Sequence, residues 1–151
     1  MNLQLRTITK ENYEAISLLE VFEEQEDFVA SNTWSLLEAA YNKEYVTRGI
    51  YLNDTPVGFF MWVPKSDNTV AIWRFMIDKS HQNHGIGRQA MALALAEIKQ
   101  DNSLQAIEIC YNPKNSVAKS FYSSFGFQEI GLDEDEDEDE DDEEMLAMMY
   151  L

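Results

Sequence analysis

The chain reads as an α/β protein built on one mixed sheet, and three observations carry that prediction. Short apolar or alternating runs recur along its 151 residues, separated by turn-forming residues, which is the pattern of strands. Two of these runs, "TVAIWRFMI" and "LQAIEICY", are apolar on both faces, as strands at a sheet centre are. Each leads into a helix-forming segment, "RQAMALALAEIKQ" after the first and "NSVAKSFYSSFG" after the second. The predicted order is β-α-α-β-β-β-α-β-α-β-β, with mixed strand directions. No internal repeat interrupts it, and a chain of this length is expected to form one domain, residues 1–151.

The elements follow in chain order. Leu3, Leu5 and Thr7 alternate with polar residues as a first strand. Thr9 is placed to cap a helix over "KENYEAISLLEV", and Ser31 or Asn32 a second over "TWSLLEAAYN". An acidic stretch, "EEQED", lies between them. "YVTRGIYL" and "VGFFMWV" make a hairpin about the turn "NDTP". Pro64 to Asn68 form the next turn. In the helix after "FMI", alanine at many positions allows close approach to the sheet. "FQEIGL" and "MLAMMYL" are the last two strands.

Charge is unevenly spread. The formal net charge is −17, yet Asp133–Glu144 alone supplies twelve of the 28 acids, leaving 16 acids against 11 bases elsewhere. An acidic balance argues against nucleic acid as a partner and suits a cationic one. Cys110 is the single cysteine, so an intramolecular disulfide is impossible and a reducing cytoplasm fits. Residues 1–20 lack a basic start followed by an apolar core, so no signal peptide is expected. No apolar stretch approaches the roughly 20 residues of a membrane helix.

The informative segment is "QNHGIG", Gln82 to Gly87, at a strand-to-helix junction. Gly85 and Gly87 let backbone amides point inward without a Cβ in the way, and the helix beginning there adds its N-terminal dipole. Together they form a cradle for phosphate or pyrophosphate, to which Arg88 could add a charged contact. The plainer reading is a tight turn. A P-loop is excluded because no Gly-Lys-Ser/Thr follows. A position late in the strand order disfavours a dinucleotide.

"Q-x-x-G-x-G" after the "FMID" strand, followed by "YNPKNSVAKSFYSSFGF", resembles the GCN5-related N-acetyltransferases (GNAT). The resemblance covers essentially the whole chain. "LEVFEEQEDFVASNTWSLLEAAYN" ahead of "PVGFFMW" is in turn similar to bacterial spermine/spermidine acetyltransferases. What this implies is a GNAT fold: seven strands, about four helices, and parallel central strands that splay apart. The co-substrate implied is acetyl-CoA, with no metal. Backbone groups of Phe75, Met76 and Ile77 would pair with pantetheine. The amides of Asn83, His84, Gly85, Ile86, Gly87 and Arg88 would hold the pyrophosphate. Asn115 matches a cofactor-contacting side chain, and as asparagine it also suits a helix cap.

The resemblance makes Tyr122 the candidate general acid, protonating the CoA sulfur as a tetrahedral intermediate collapses. The plainer alternative is packing, since Phe121 and Phe125 are expected in the core. A base is harder to find. A polyamine nitrogen has a pKa of roughly 10 and arrives protonated. The central strand carries no acid in "IWRFMI". Cys110 stands where some relatives have glutamate, and Glu108 lies two residues earlier on the same face. Glu108 acting directly or through water, and a water chain alone, both stay open. An acetyl-cysteine route through Cys110 lacks a nearby histidine. His81 and His84 stand without acids or cysteines at ligand spacing, so no metal site is expected.

On the acceptor side, the resemblance directs attention to the first helices and the hairpin. Glu23, Glu24, Glu26 and Asp27 concentrate negative charge there, and Trp34, Trp62 and Trp73 could give cation–π contacts. Solvated acids and core tryptophans are the plainer reading. A small cationic amine, spermine or spermidine, is the favoured acceptor. A protein, a peptide or an aminoglycoside is the alternative, and a non-catalytic CoA-binding protein the third reading. Relatives are often dimers, but no homodimer interface is legible in the sequence. The acidic run, residues 133–144, joins the last two strands. Its like charges predict a mobile loop: either a solvated connector or an electrostatic funnel for polycations.

Overall fold

The computed structural model describes residues 2–133 and 143–151. The strands are β1 (Leu3–Arg6), β2 (Val46–Leu52), β3 (Thr55–Ser66), β4 (Thr69–Ile77), β5 (Ala106–Tyr111), β6 (Gln128–Asp133) and β7 (Glu144–Tyr150). The helices are α1 (Tyr13–Ser17), α2 (Asn32–Ala40), α3 (Ile86–Ile98) and α4 (Ser116–Ser123). Their order along the chain is the predicted one. The strands form one sheet, β1-β2-β3-β4-β5-β7-β6, in which β4 and β5 pair in parallel and the other neighbours antiparallel. The last strand therefore inserts between β5 and β6.

Both faces of the sheet are covered, which is why Val57 to Val63 carry no charge. On one face Phe60, Trp62 and Ile72 pack against Ala90, Met91, Ala94 and Leu95 of α3. Ala90 and Ala94 are fully buried, and their small side chains let the helix sit close to the strands. On the other face Phe59, Met61 and Met76 meet Ile16 of α1. Five residues are too few to hold a helix by themselves. Burial of Ile16, worth about 2 kcal/mol, and a hydrogen bond from Asn32 Nδ2 to the Ile16 carbonyl (2.8 Å) fix α1 in place.

Several predicted boundaries move. Helix α1 is far shorter than "KENYEAISLLEV", and Asn12 precedes it in place of Thr9. Thr9 closes a turn instead, its hydroxyl accepting the Glu11 amide. Ser31 is the cap of α2, accepting from the Trp34 amide at 3.1 Å, and Asn32 is buried. "EEQED" forms a 3₁₀ helix, Glu23–Phe28. Strand β3 extends at both ends, through Thr55 and Pro56 and through Pro64 to Ser66. Its hairpin turn contracts to Asn53 and Asp54, with Asn53 at φ 56°. Helix α3 begins two residues early, inside the glycine motif.

Strands β6 and β7 pair as a hairpin, with Asp133 opposite Glu144. The two readings of the acidic run between them fall largely on residues 134–142, outside the described residues. No helix among the described residues is long and apolar enough to cross a membrane.

Candidate active site

A bulge decides where the sheet opens. Met61 pairs with Arg74 and Trp62 with Ile72, so Trp73 is left over on β4. Bulges bend a strand and increase its twist. The parallel ladder between β4 and β5 stops at the same point: Ile72 opposite Ile109 is its last pair. Strand β4 continues to Ile77 and β5 to Tyr111, but they diverge. A cleft of about 560 Å³ lies between them, with α4 on one flank and residues Val21–Val29 on the other. One edge of Phe75, Met76 and Ile77 pairs with β3; the edge toward β5 is open for an extended ligand to add as a strand. Phe75 is held in a stack, 4.4 Å from the Phe60 ring and 5.7 Å from Phe121.

The glycine motif closes one end of the cleft. Gly85 takes φ 76° as the residue before α3, and Asn83 takes φ 66°. Two left-handed residues, one on each side of His84, just before a helix start favour amides turned inward, as an anion requires. A Cβ at Gly85 would meet nothing within 4 Å, so conformation rather than space selects glycine there. Asn83 and Gly87 line the cleft, and His84 is exposed. The Arg88 guanidinium donates to Ser124 Oγ at 2.7 Å and lies over the Phe125 ring, 4.8 Å from its centroid. Asn115 caps α4, its Oδ1 accepting the Ala118 amide at 3.1 Å, and also lines the cleft.

Tyr122 faces the cleft from α4. Its ring packs against Tyr111, Phe121 and Phe127. Burial pushes its phenol well above its ordinary pKa, so the hydroxyl keeps its proton. Tyr111 ends β5 across the same space, and its hydroxyl donates to Glu129 Oε1 at 2.6 Å. Burial first, and then this carboxylate, raise its pKa as well. The sequence reading missed Tyr111, although its place at the end of a central strand was a usable signal.

Glu108 is not among the residues that line the cleft. It pairs with Ala71 on the still-joined part of β4 and β5, and Lys65 Nζ sits 3.6 Å from its Oε1. Cys110 does line the cleft. Burial pushes its thiol up to about 12, helped by the carboxylates of Glu144, Glu108 and Asp133. A thiol in that state is a poor nucleophile at neutral pH. Alkylation of Cys110 by iodoacetamide should accelerate about tenfold per pH unit from pH 8 to pH 10 without levelling off. A rate that levels off by about pH 10 would show that the thiol ionises normally.

Of the acceptor candidates, Glu24 and Trp73 line the cleft, together with Phe28. Glu24 is the one carboxylate among its described lining residues. Glu23 and Asp27 are exposed on the same 3₁₀ helix. Trp34 is 55% exposed on α2 and outside the cleft. Trp73 packs edge-on to Tyr45, 5.3 Å away.

A splayed parallel pair, an open strand edge and an amide-lined helix start define a class of acyltransferase that binds an extended nucleotide thioester. The chain belongs to the acetyltransferase (GNAT) family, whose model matches residues 3–127, and it is an acetyl-CoA-dependent N-acetyltransferase. A spermine/spermidine N(1)-acetyltransferase of Bacillus subtilis (strain 168) is 27% identical over 135 residues, 85% of this chain and 89% of that protein. The spermidine N-acetyltransferase of Vibrio cholerae, solved with CoA and spermine, superimposes with a TM-score of 0.78 at 15% identity, covering 98% and 95% of the two chains. A GNAT acetyltransferase of Elizabethkingia anophelis, solved with acetyl-CoA, gives 0.71 at 17% identity, covering 99% of each chain. These two structures establish the likeness of fold alone.

Proposed function

We propose that this enzyme acetylates a primary amine of a polyamine or a similarly small, flexible cation. The observation that carries the reading is the make-up of the cleft walls: Glu24, Phe28 and Trp73 on the acceptor side and Tyr122 on α4. A carboxylate beside apolar rings suits charges spaced along an alkyl chain, through ion pairing and cation–π contact. The Bacillus subtilis relative's name supports the same substrate class.

Acetyl-CoA supplies an acetyl group activated as a thioester. The chain's residues do the rest. The open edge of Phe75–Ile77 fixes the pantetheine arm, and the amides from Asn83 to Arg88 neutralise the pyrophosphate. Asn115 orders the start of α4 and with it Tyr122. The Tyr122 hydroxyl gives its proton to the departing sulfur and recovers one, through water, from the proton the amine loses. Glu108 lies off the cleft and is paired with Lys65, so the ammonium proton leaves through water.

A thiol-release assay with acetyl-CoA tests this against spermine, spermidine, a lysine peptide, a free peptide N-terminus and an aminoglycoside. The polyamines should show the highest kcat/KM by at least about tenfold, the span of 1.4 kcal/mol. With a protonated amine as acceptor, kcat/KM should rise with pH toward roughly 10. No falling limb from Tyr122 should appear below that pH, because burial has raised its pKa. A preference for the peptides or the aminoglycoside would overturn the substrate class.

A further inference from the structure

The acceptor wall and the cofactor turn are distant in sequence but joined by one side-chain pair. Gln25 Nε2 donates to Gln82 Oε1 at 3.1 Å, and Gln82 Nε2 donates back to Gln25 Oε1 at 2.9 Å. The outer partners fix both amides. Gln82 Nε2 also donates to the Ile77 carbonyl at 3.0 Å, and Gln25 Oε1 also accepts the Phe22 amide at 3.1 Å. A carbonyl can only accept and an amide N–H can only donate, so neither side chain can flip without losing a bond. The result is a continuous path from the 3₁₀ helix, through the first residue of the glycine motif, to the end of β4.

A second anchor joins the same elements. The Glu20 amide donates to Asp78 Oδ1 at 2.9 Å, the Lys79 amide donates to the Glu20 carbonyl at 2.7 Å, and Lys79 Nζ pairs with Glu20 Oε2 at 3.1 Å. Val21 and Val29 pack against the core at the two ends of this segment. None of the residues Glu23–Phe28 is buried, and Glu23, Glu24, Glu26 and Asp27 repel one another. A 3₁₀ helix of six residues is already long for its type. Between Val21 and Val29 its position therefore depends on the hydrogen bonds that tie it to residues 77–82.

We propose that Gln25 is a positioning residue that transmits occupancy of the cofactor turn to the acceptor wall, residues 20–29. CoA held by the amides after Gln82 fixes the Gln82 side chain and the Ile77 carbonyl. Gln25 then holds Glu24 and Phe28 at the mouth of the cleft. By linkage, an acceptor that orders residues 20–29 tightens cofactor binding by the same factor. The proposal rests on the cofactor reading above.

Hydrogen exchange on the full chain, with and without saturating CoA, tests it. In the wild type, CoA should slow exchange across both 83–88 and 20–29, the latter by about tenfold, the scale of losing a partly buried amide pair. Gln25→Ala should keep protection of 83–88 and lose that of 20–29. Gln25→Glu retains both accepted hydrogen bonds and should fall between the two; it also serves if the alanine variant folds poorly. Wild-type protection of 20–29 in Gln25→Ala overturns the proposal. So does protection of 83–88 without 20–29 in the wild type. If CoA protects neither segment of the wild type, the cofactor reading itself falls.

Discussion

Tyr122→Phe is expected to lower kcat about a hundredfold while leaving acetyl-CoA binding and thermal stability nearly unchanged. General acid catalysis contributes about 10²–10⁴ in rate, and the leaving group decides where in that range this enzyme lies. A thiol with a pKa of roughly 8.5 departs readily as thiolate, so protonation helps less than it would for an alkoxide, and the low end applies. The ring stays. Its contacts with Tyr111, Phe121 and Phe127, at centroid distances of 5.7, 5.3 and 6.1 Å, are contacts phenylalanine also makes. Single-turnover kinetics with acetyl-CoA and spermine, set beside a CoA binding isotherm, separate the two effects. A kcat within threefold of wild type would remove Tyr122 from the chemistry, and a matching loss of CoA affinity would make its role one of binding. Tyr111 gives a contrast. Its hydroxyl is committed to Glu129 at 2.6 Å, so it is less free to deliver a proton.

The order of elements was legible because each strand and helix carries its own periodicity. The glycine motif was legible because a left-handed residue at a helix start restricts the sequence locally. Asn115 was legible as a helix cap, since its own side chain accepts the Ala118 amide. Glu108 shows where such reading stops. Alternation placed it on the same face as Cys110, but whether that part of the face lies inside the cleft depends on where β4 leaves β5. The bulge at Trp73 sets that point through its register with β3, and no local pattern in "IWRFMI" announces it. The segment "EEQED" shows the same limit. Its acids read as a solvated stretch, while the residue that fixes it, Gln25, finds its partner 57 positions along the chain. Arg88 was expected at the phosphate, and its guanidinium meets Ser124 and Phe125 just past the end of α4, a contact that exists only once the chain has folded.

Gly58→Ala is expected to be the most destabilising alanine substitution at a glycine of the sheet. Gly58 lies on β3 between Ile50 of β2 and Ile77 of β4. A Cβ there would fall 2.5 Å from the Met76 carbonyl oxygen and 2.9 Å from Ile50 Cδ1. The isoleucine tip can rotate away, but the carbonyl belongs to the ladder and cannot. Overpacking of this kind costs about 3 kcal/mol, or a fall in Tm of about 10 °C for a chain of this size. Relief requires β4 to shift at Met76, the middle of the open edge proposed to pair with pantetheine, so the KM for acetyl-CoA should rise with the loss of stability. Gly49→Ala is the internal control. Its nearest neighbours are side-chain atoms, Ile16 Cδ1 at 2.9 Å and Tyr51 Cε2 at 3.2 Å, and a shift of Ile16 disturbs α1 rather than β4. It should cost about 1 kcal/mol and leave the KM for acetyl-CoA unchanged. Calorimetric melting and acetyl-CoA kinetics on both variants decide the matter. Equal destabilisation, or an unchanged KM in Gly58→Ala, would mean that β4 tolerates movement at Met76 and that the cofactor edge is not held by its packing against β3.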